Sequence, residues 1–291
     1  MSAIIHELLK LPPFLVDVIR LWVWLLALSV IFVPAERLWS LRKQKIARKA
    51  VLIDLAYYFL NSLLPNAILA FPLTLMALTV RTFLPWHIRE FVAGMPLWER
   101  LTAVFVIGQI GNYWGHRWMH EVPLLWRFHA VHHSAEEMDW LVNTRAHPLD
   151  MVFTRLCGFV PIYALGLAMP TTRGVDLAST IVVLLGTAWG FFVHANVRWR
   201  FGWLEQLIAT PAFHHWHHTN DTMRDRNYSA MLPWLDRLFG TYHMPKRQWP
   251  TGYGIDKPVP PDLVGQLLDP LTPEPKVRKS EPLPNNGSEP A

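Results

Sequence analysis

The sequence predicts an all-α protein, a multi-span transmembrane helical bundle bearing a cytoplasmic, histidine-rich di-metal cap. Three observations carry that expectation. Apolar residues make up 52% of the 291-residue chain and charged residues only 17%, and the apolar ones fall in long runs of the kind that cross membranes. Fifteen tryptophans suit a chain with much surface at the bilayer interface, where indole is favoured. Eleven of the fourteen histidines lie between His116 and His218, most of them at helical spacing.

The first apolar run, residues 14–33, is interrupted early by Asp17 and Arg20 and closed by Pro34. It has no basic segment before it and no small-residue cleavage site, so it reads as a retained span and not a signal peptide. Arg37, Arg42, Lys43, Lys45, Arg48 and Lys49 follow and belong on the cytoplasmic side by the positive-inside rule. Residues 51–84 are longer than one span needs and contain Pro65 and Pro72. They allow one long kinked helix, a re-entrant dip or a hairpin of two short helices. Runs at 97–114, 151–169 and 175–193 each match the roughly 20 residues that a bilayer core requires.

Charge arbitrates the ambiguous stretch. Arg198, Arg200, Arg224, Arg226, Arg237, Lys246 and Arg247 belong inside, which requires residues 51–84 to cross once. Five crossings follow, with the clusters at His116, His129, His194 and His214 all on the cytoplasmic face. From Trp249 onward prolines and polar residues dominate, and such a tail is expected to be disordered. The chain thus divides into N-terminal helices (1–96), a histidine-bearing region (97–248) and a proline-rich tail (249–291).

Residues three and four apart share a helix face. His116 and His120 are therefore stacked, while His129, His132 and His133 form a fan that His214, His217 and His218 repeat. His194 stands alone. Neutral imidazole is the commonest nitrogen ligand for iron, zinc and copper, and a single catalytic zinc takes about three protein ligands. Eight or nine convergent imidazoles suit two ions, each keeping an open position. A lone histidine is more often a satisfied polar residue, and His6, His87 and His243 are read that way. His215 lies about a hundred degrees around a helix from His214 and is left outside the ligand set.

Other features narrow the class. One cysteine, Cys157, permits no disulfide framework or cysteine-based metal site within the chain and reads as a buried small apolar residue. The net charge is +5, but the basic residues flank the apolar runs and form no stripe interleaved with aromatic residues. They signal topology and contact with anionic lipid, not nucleic acid.

At these residues the sequence resembles the fatty acid hydroxylase/sterol desaturase superfamily. The resemblance is carried by Tyr113-Trp114-Gly-His116-Arg117-Trp-Met-His120, Phe128-His129-Ala-Val-His132-His133-Ser134 and Arg145-Ala-His147-Pro148. It continues through His194-Ala-Asn196, His214-His-Trp-His217-His218-Thr219, Asn227-Tyr228 and Trp234-Leu-Asp236-Arg237-Leu-Phe239-Gly240-Thr241.

The resemblance implies a membrane enzyme with two iron ions that uses O2 to hydroxylate or desaturate a fatty acyl, sterol or isoprenoid lipid. It implies metal ligation by His116, His120, His129, His132, His133, His194, His214, His217 and His218, and electrons from a separate ferredoxin- or cytochrome-like protein. The membrane is the cytoplasmic one in a bacterium and the endoplasmic reticulum in a eukaryote. His147 is expected to position a loop, with ligation open to it. Two departures stand out: Gln109 replaces an aspartate that would orient a histidine, and Arg198 replaces a further histidine, leaving one metal a ligand short.

Alternatives from the residues alone are a di-zinc hydrolase with Glu121 or Glu137 as base, a histidine-rich metal carrier with ligands at the bilayer midplane, and a haem electron-transfer protein. Glu121, Glu136, Glu137 and Asp139 are expected to be solvated. Asn196 and Asn227 either bond ligands or hold turns, and Asp236 and Arg237 hold the C-terminal helix.

Overall fold

Proline placement sets many of the helix starts. A proline in the first turn loses no hydrogen bond and presents a helical φ, and it opens α1 (Pro13–Leu38), α5 (Pro123–His133), α6 (Pro148–Ala164), α8 (Pro211–His217) and α9 (Pro233–Leu238). The remaining helices are α2 (Val51–Phe83), α3 (Trp86–Gly94), α4 (Leu97–Glu121), α7 (Leu177–His194) and α10 (Leu263–Leu268). This computed structural model describes residues 11–168 and 177–272. Among the described residues, extended pairing is confined to isolated bridges such as Ser40 to Val197.

Residues 51–84 are one continuous helix and not a hairpin: α2 runs 33 residues through both prolines. At about 1.5 Å per residue it is roughly 50 Å long, well beyond a bilayer core. Its outer face and that of α1 are apolar and exposed, with Leu26 and Phe71 at 65% and 76% exposure, as lipid-facing surfaces are.

Three helices, α1, α2 and α7, are long and apolar enough to cross a membrane, or four if α3 and α4, bent by 112°, count as one span. By length and apolarity, three or four of the five expected crossings are found among the described residues. The run at 151–169 becomes α6, 17 residues long, and it packs against α4. That packing is close because Gly111 and Gly115 face Cys157. A Cβ on Gly111 would come to 2.1 Å from the Cys157 carbonyl oxygen. Cys157 itself is only partly buried.

The ends of α1, α2 and α7 converge beneath the loop at 134–147. Arg198 N–H donates to Trp39 O at 2.9 Å, tying the exit of α7 to that of α1. A buried ionic network clamps the start of α2. Arg48 bonds both oxygens of Asp139 at 2.5 and 2.8 Å and also reaches Asp54, which accepts from Arg145 Nε at 2.6 Å. Arg48 was expected to be a topological charge and Asp139 a solvated one. Both are buried, and breaking such a network leaves an uncompensated charge.

The tail begins later than composition suggests. Residues 249–272 are folded: Tyr253 is buried, and Asp262 caps α10 by accepting from Gly265 N–H at 2.8 Å. Residues 273–291 and His6 lie outside the described residues.

Candidate metal centre

All nine histidines of the expected ligand set meet at the converged end of the bundle. They form two groups, His116, His120, His129, His133 and His217 in one, and His132, His194, His214 and His218 in the other. Within each group the candidate donor atoms lie within 4.8 Å of one another. The groups share a wall, since the His133 and His218 rings stack with centroids 4.4 Å apart. The smaller group contains His194, the side on which Arg198 departs from the family pattern. Arg198 is exposed.

The tautomers follow from the acceptors. His116 Nδ1–H donates to Tyr228 O (2.6 Å), His132 to Arg145 O (2.8 Å), His194 to Gly190 O (2.7 Å) and His217 to Arg226 O (2.8 Å). Two more donate to carboxylates, His129 to Asp150 Oδ2 at 2.9 Å and His120 to Asp225 Oδ1 at 3.1 Å. A neutral imidazole carries one proton, so in each of these rings Nε2 is left as a lone pair.

Those lone pairs point at each other. His116 Nε2 stands 3.0 Å from His129 Nε2, and His132 Nε2 stands 3.3 Å from His194 Nε2. Between neutral rings whose single protons sit on Nδ1, neither contact can be a hydrogen bond. Two converging lone pairs are repulsive unless a cation lies between them. Metal–nitrogen bonds of about 2.1 Å at right angles place their nitrogens about 3.0 Å apart, so the spacing fits a metal. His120 Nε2 is likewise buried with no partner.

Burial favours the neutral ring, the form that binds metal. Burial pushes His132 down to about 3. Burial likewise holds His133, His214, His217 and His218 well below the ordinary histidine value.

The fatty acid hydroxylase model matches residues 101–241, a stretch that contains every one of these histidines. This region belongs to the fatty acid hydroxylase family. Ornithine lipid hydroxylase OlsE of Rhizobium tropici is 32% identical over 205 residues, 70% of this chain and 59% of its own. Human alkylglycerol monooxygenase is 30% identical over 163 residues, 54% of this chain and 33% of its own. Methylsterol monooxygenase 2-2 of Arabidopsis thaliana is 27% identical over 226 residues, 72% of this chain and 78% of its own. The chain thus spans about three fifths of the first relative and a third of the second. No solved structure matches it.

Several residues take roles that sequence reasoning missed or misplaced. Asp150 and Asp225 orient histidines, and neither was singled out. Asp150 lies three residues after His147, a position at which an acid in the first turn of α6 was a usable signal. Gln109 does not take an orienting role, since its Oε1 is buried and accepts no hydrogen bond. His147 caps α6 by accepting from Leu149 N–H at 3.1 Å, and its Nε2–H donates to Leu267 O at 3.2 Å. His215 stays outside both groups, accepting from the Tyr253 hydroxyl at 2.7 Å and donating to Ala195 O at 3.1 Å.

The asparagines hold turns. Asn196 Nδ2 donates to Arg42 O at 2.8 Å, while Asn227, at φ 57°, bonds Phe213 O and His243 O. Asp236 accepts from Tyr228 N–H and Ser229 N–H at 2.7 and 3.0 Å, fixing the strand of chain whose carbonyl orients His116. Of the acids expected to be solvated, Glu121, Glu136 and Glu137 are exposed.

Proposed function

We propose that this chain is an O2-dependent, di-iron membrane enzyme that hydroxylates or desaturates a C–H bond of a lipid. The observation that supports it best is the facing Nε2 lone pairs, one such pair in each histidine group. Iron held there would supply the reduction of O2 and the removal of hydrogen from an unactivated C–H bond.

The chain's own residues supply position and exclusion of water. His116, His120, His129, His133 and His217 would hold one ion, and His132, His194, His214 and His218 the other. Backbone carbonyls and two carboxylates fix the ring planes, and Tyr228 and Met119, almost wholly buried, help to keep the site dry. The apolar helices α1, α2 and α7 end at the site, so a membrane lipid reaches it without leaving the bilayer. Hydroxylation is favoured over desaturation because the three relatives are a hydroxylase and two monooxygenases. By the positive-inside rule the site faces the cytoplasm, and electrons come from a separate ferredoxin- or cytochrome-like protein. The hydrolytic alternative lacks its base: Glu121 is exposed and paired with Arg117 at 2.8 Å, and Glu137 is exposed.

Elemental analysis of the detergent-purified protein tests this reading first. Two irons per chain and O2 uptake on adding a lipid substrate are expected. His132→Ala and His217→Ala should each lose one metal equivalent and all turnover. Two zincs, reproducible after expression with iron supplied, would overturn the oxygenase in favour of hydrolysis.

A further inference from the structure

A second site lies beside the metal centre. A cavity of about 480 Å³ opens between α1, the start of α2, the loop at 39–50 and Trp140, a size suited to a small-molecule ligand. Its lining follows α1 from Leu25 to Arg37, a length of about 18 Å at 1.5 Å per residue. The chemistry changes along that length. Leu25, Val33, Leu55 and Leu141 line the part toward the membrane, and Arg37, Arg42, Lys43 and Lys45 line the part toward the loop.

The cations are not all spent. Arg37 donates to Gln44 O at 2.8 Å, and Arg42 lies 4.2 Å over the Tyr253 ring. The ammonium groups of Lys43 and Lys45 make no ion pair or hydrogen bond among the described residues, and both lysines are exposed. Of the two acids that line the cavity, Asp139 is paired with a cation and Glu36 is bonded at one oxygen only. Glu36 Oε1 accepts from Trp140 N–H at 2.8 Å and Asn196 N–H at 2.9 Å, and Asp139 is chelated by Arg48. The cavity therefore offers two free ammonium groups at its polar end against one carboxylate, Glu36, that has no cation partner.

We propose that this cavity binds one anionic glycerophospholipid, its phosphate at Lys43 and Lys45 and an acyl chain along α1 toward Leu25. The site is separate from the metal ligands and does not rest on their chemistry. It does touch their support. Asn196, two residues past His194, lines the cavity and anchors the loop by accepting from Arg42 N–H at 3.0 Å.

The test uses the full chain in detergent, titrated with phosphatidylglycerol, phosphatidylcholine and inorganic phosphate, with bound lipid read by native mass spectrometry. One phosphatidylglycerol per chain is expected, retained in preference to phosphatidylcholine. Each lysine near an anionic headgroup is worth about fivefold in affinity, so Lys43→Gln with Lys45→Gln should weaken binding about thirtyfold. Val33→Trp should block the apolar end with both lysines intact. Metal content, measured in parallel, reports folding and stays unchanged in the lysine variant. Equal retention of the two lipids, inorganic phosphate binding as tightly as phosphatidylglycerol, or unaltered affinity in the lysine variant would each overturn the proposal.

Discussion

Asp150→Asn separates the two histidine groups. Asp150 accepts the Nδ1 proton of His129 at 2.9 Å, both side chains are about 95% buried, and Thr154 Oγ1 contacts the other carboxylate oxygen at 3.2 Å. Asparagine keeps the shape and one acceptor oxygen but removes the charge that polarises the imidazole. A hydrogen bond to a charged group contributes about 1.5–3 kcal/mol, which is roughly 10- to 150-fold in an equilibrium constant. Loss of a partner that orients a metal ligand costs about 10- to 100-fold in metal affinity, so the two routes agree. The five-histidine group should weaken by that factor. The four-histidine group should not, because His132 and His194 are oriented by the carbonyls of Arg145 and Gly190, which the substitution leaves in place. Competition with a chromophoric chelator, using cobalt as the spectroscopic probe, resolves the two equivalents. Unchanged affinity for both, or weakening confined to the four-histidine group, would refute the orientation assigned to Asp150.

Three further outcomes follow from the packing and the charges. Gly111→Ala should lower the unfolding temperature in detergent, since its Cβ would meet the Cys157 carbonyl oxygen at 2.1 Å and overpacking costs about 1–3 kcal/mol. Cys157→Gly should not rescue it, because the obstacle is backbone. Arg48→Met should destabilise by about 3–5 kcal/mol, seen as loss of folded yield, while Lys43→Ala leaves yield unchanged. The metal-free protein should lose stability on acidification. His132 and His215 are pushed down to about 3 by burial, against about 6.5 in the unfolded chain. Between those values the unfolded chain binds more protons, so stability rises with pH across the window and is lost as pH falls. Asp236, pushed up to about 6, acts in the opposite sense, against several buried histidines. Thermal unfolding between pH 8 and pH 4 reads the slope, and a flat profile would count against buried neutral histidines.

Much of the site was legible because helical periodicity acts locally. The spacing of His129, His132 and His133 shows which ring faces are shared, and Pro123 and Pro211 mark the starts of the helices that carry both fans. What orients the rings was not legible. Four of the six orienting acceptors are backbone carbonyls, which carry no residue signature, and Asp225 is separated from His120 by 105 residues. What residues 151–169 pack against was not legible for a related reason. Hydropathy measures burial without saying whether lipid or protein does the burying, and there the partner is α4, brought close by Gly111. Arg48 misled in the opposite way. A cation in a basic run reads as a surface charge until Asp54 and Asp139 are found around it.

The adjacent histidines argue for two ions more strongly than their number does. Successive residues on a helix point about a hundred degrees apart, so His132 and His133 cannot both face one ion, and neither can His217 and His218. The structure divides both pairs accordingly. In α5 the i and i+4 members, His129 and His133, enter one group and His132 the other. The second fan reverses the assignment: His214 and His218 enter the group of His132, and His217 joins His133. Each fan therefore straddles both groups, and each group is closed by rings from both. A single ion would leave one histidine of each adjacent pair buried, neutral and without purpose at a site where an unpaired polar group is costly. Two ions use all four, and they tie the geometry of each centre to the placement of both α5 and α8.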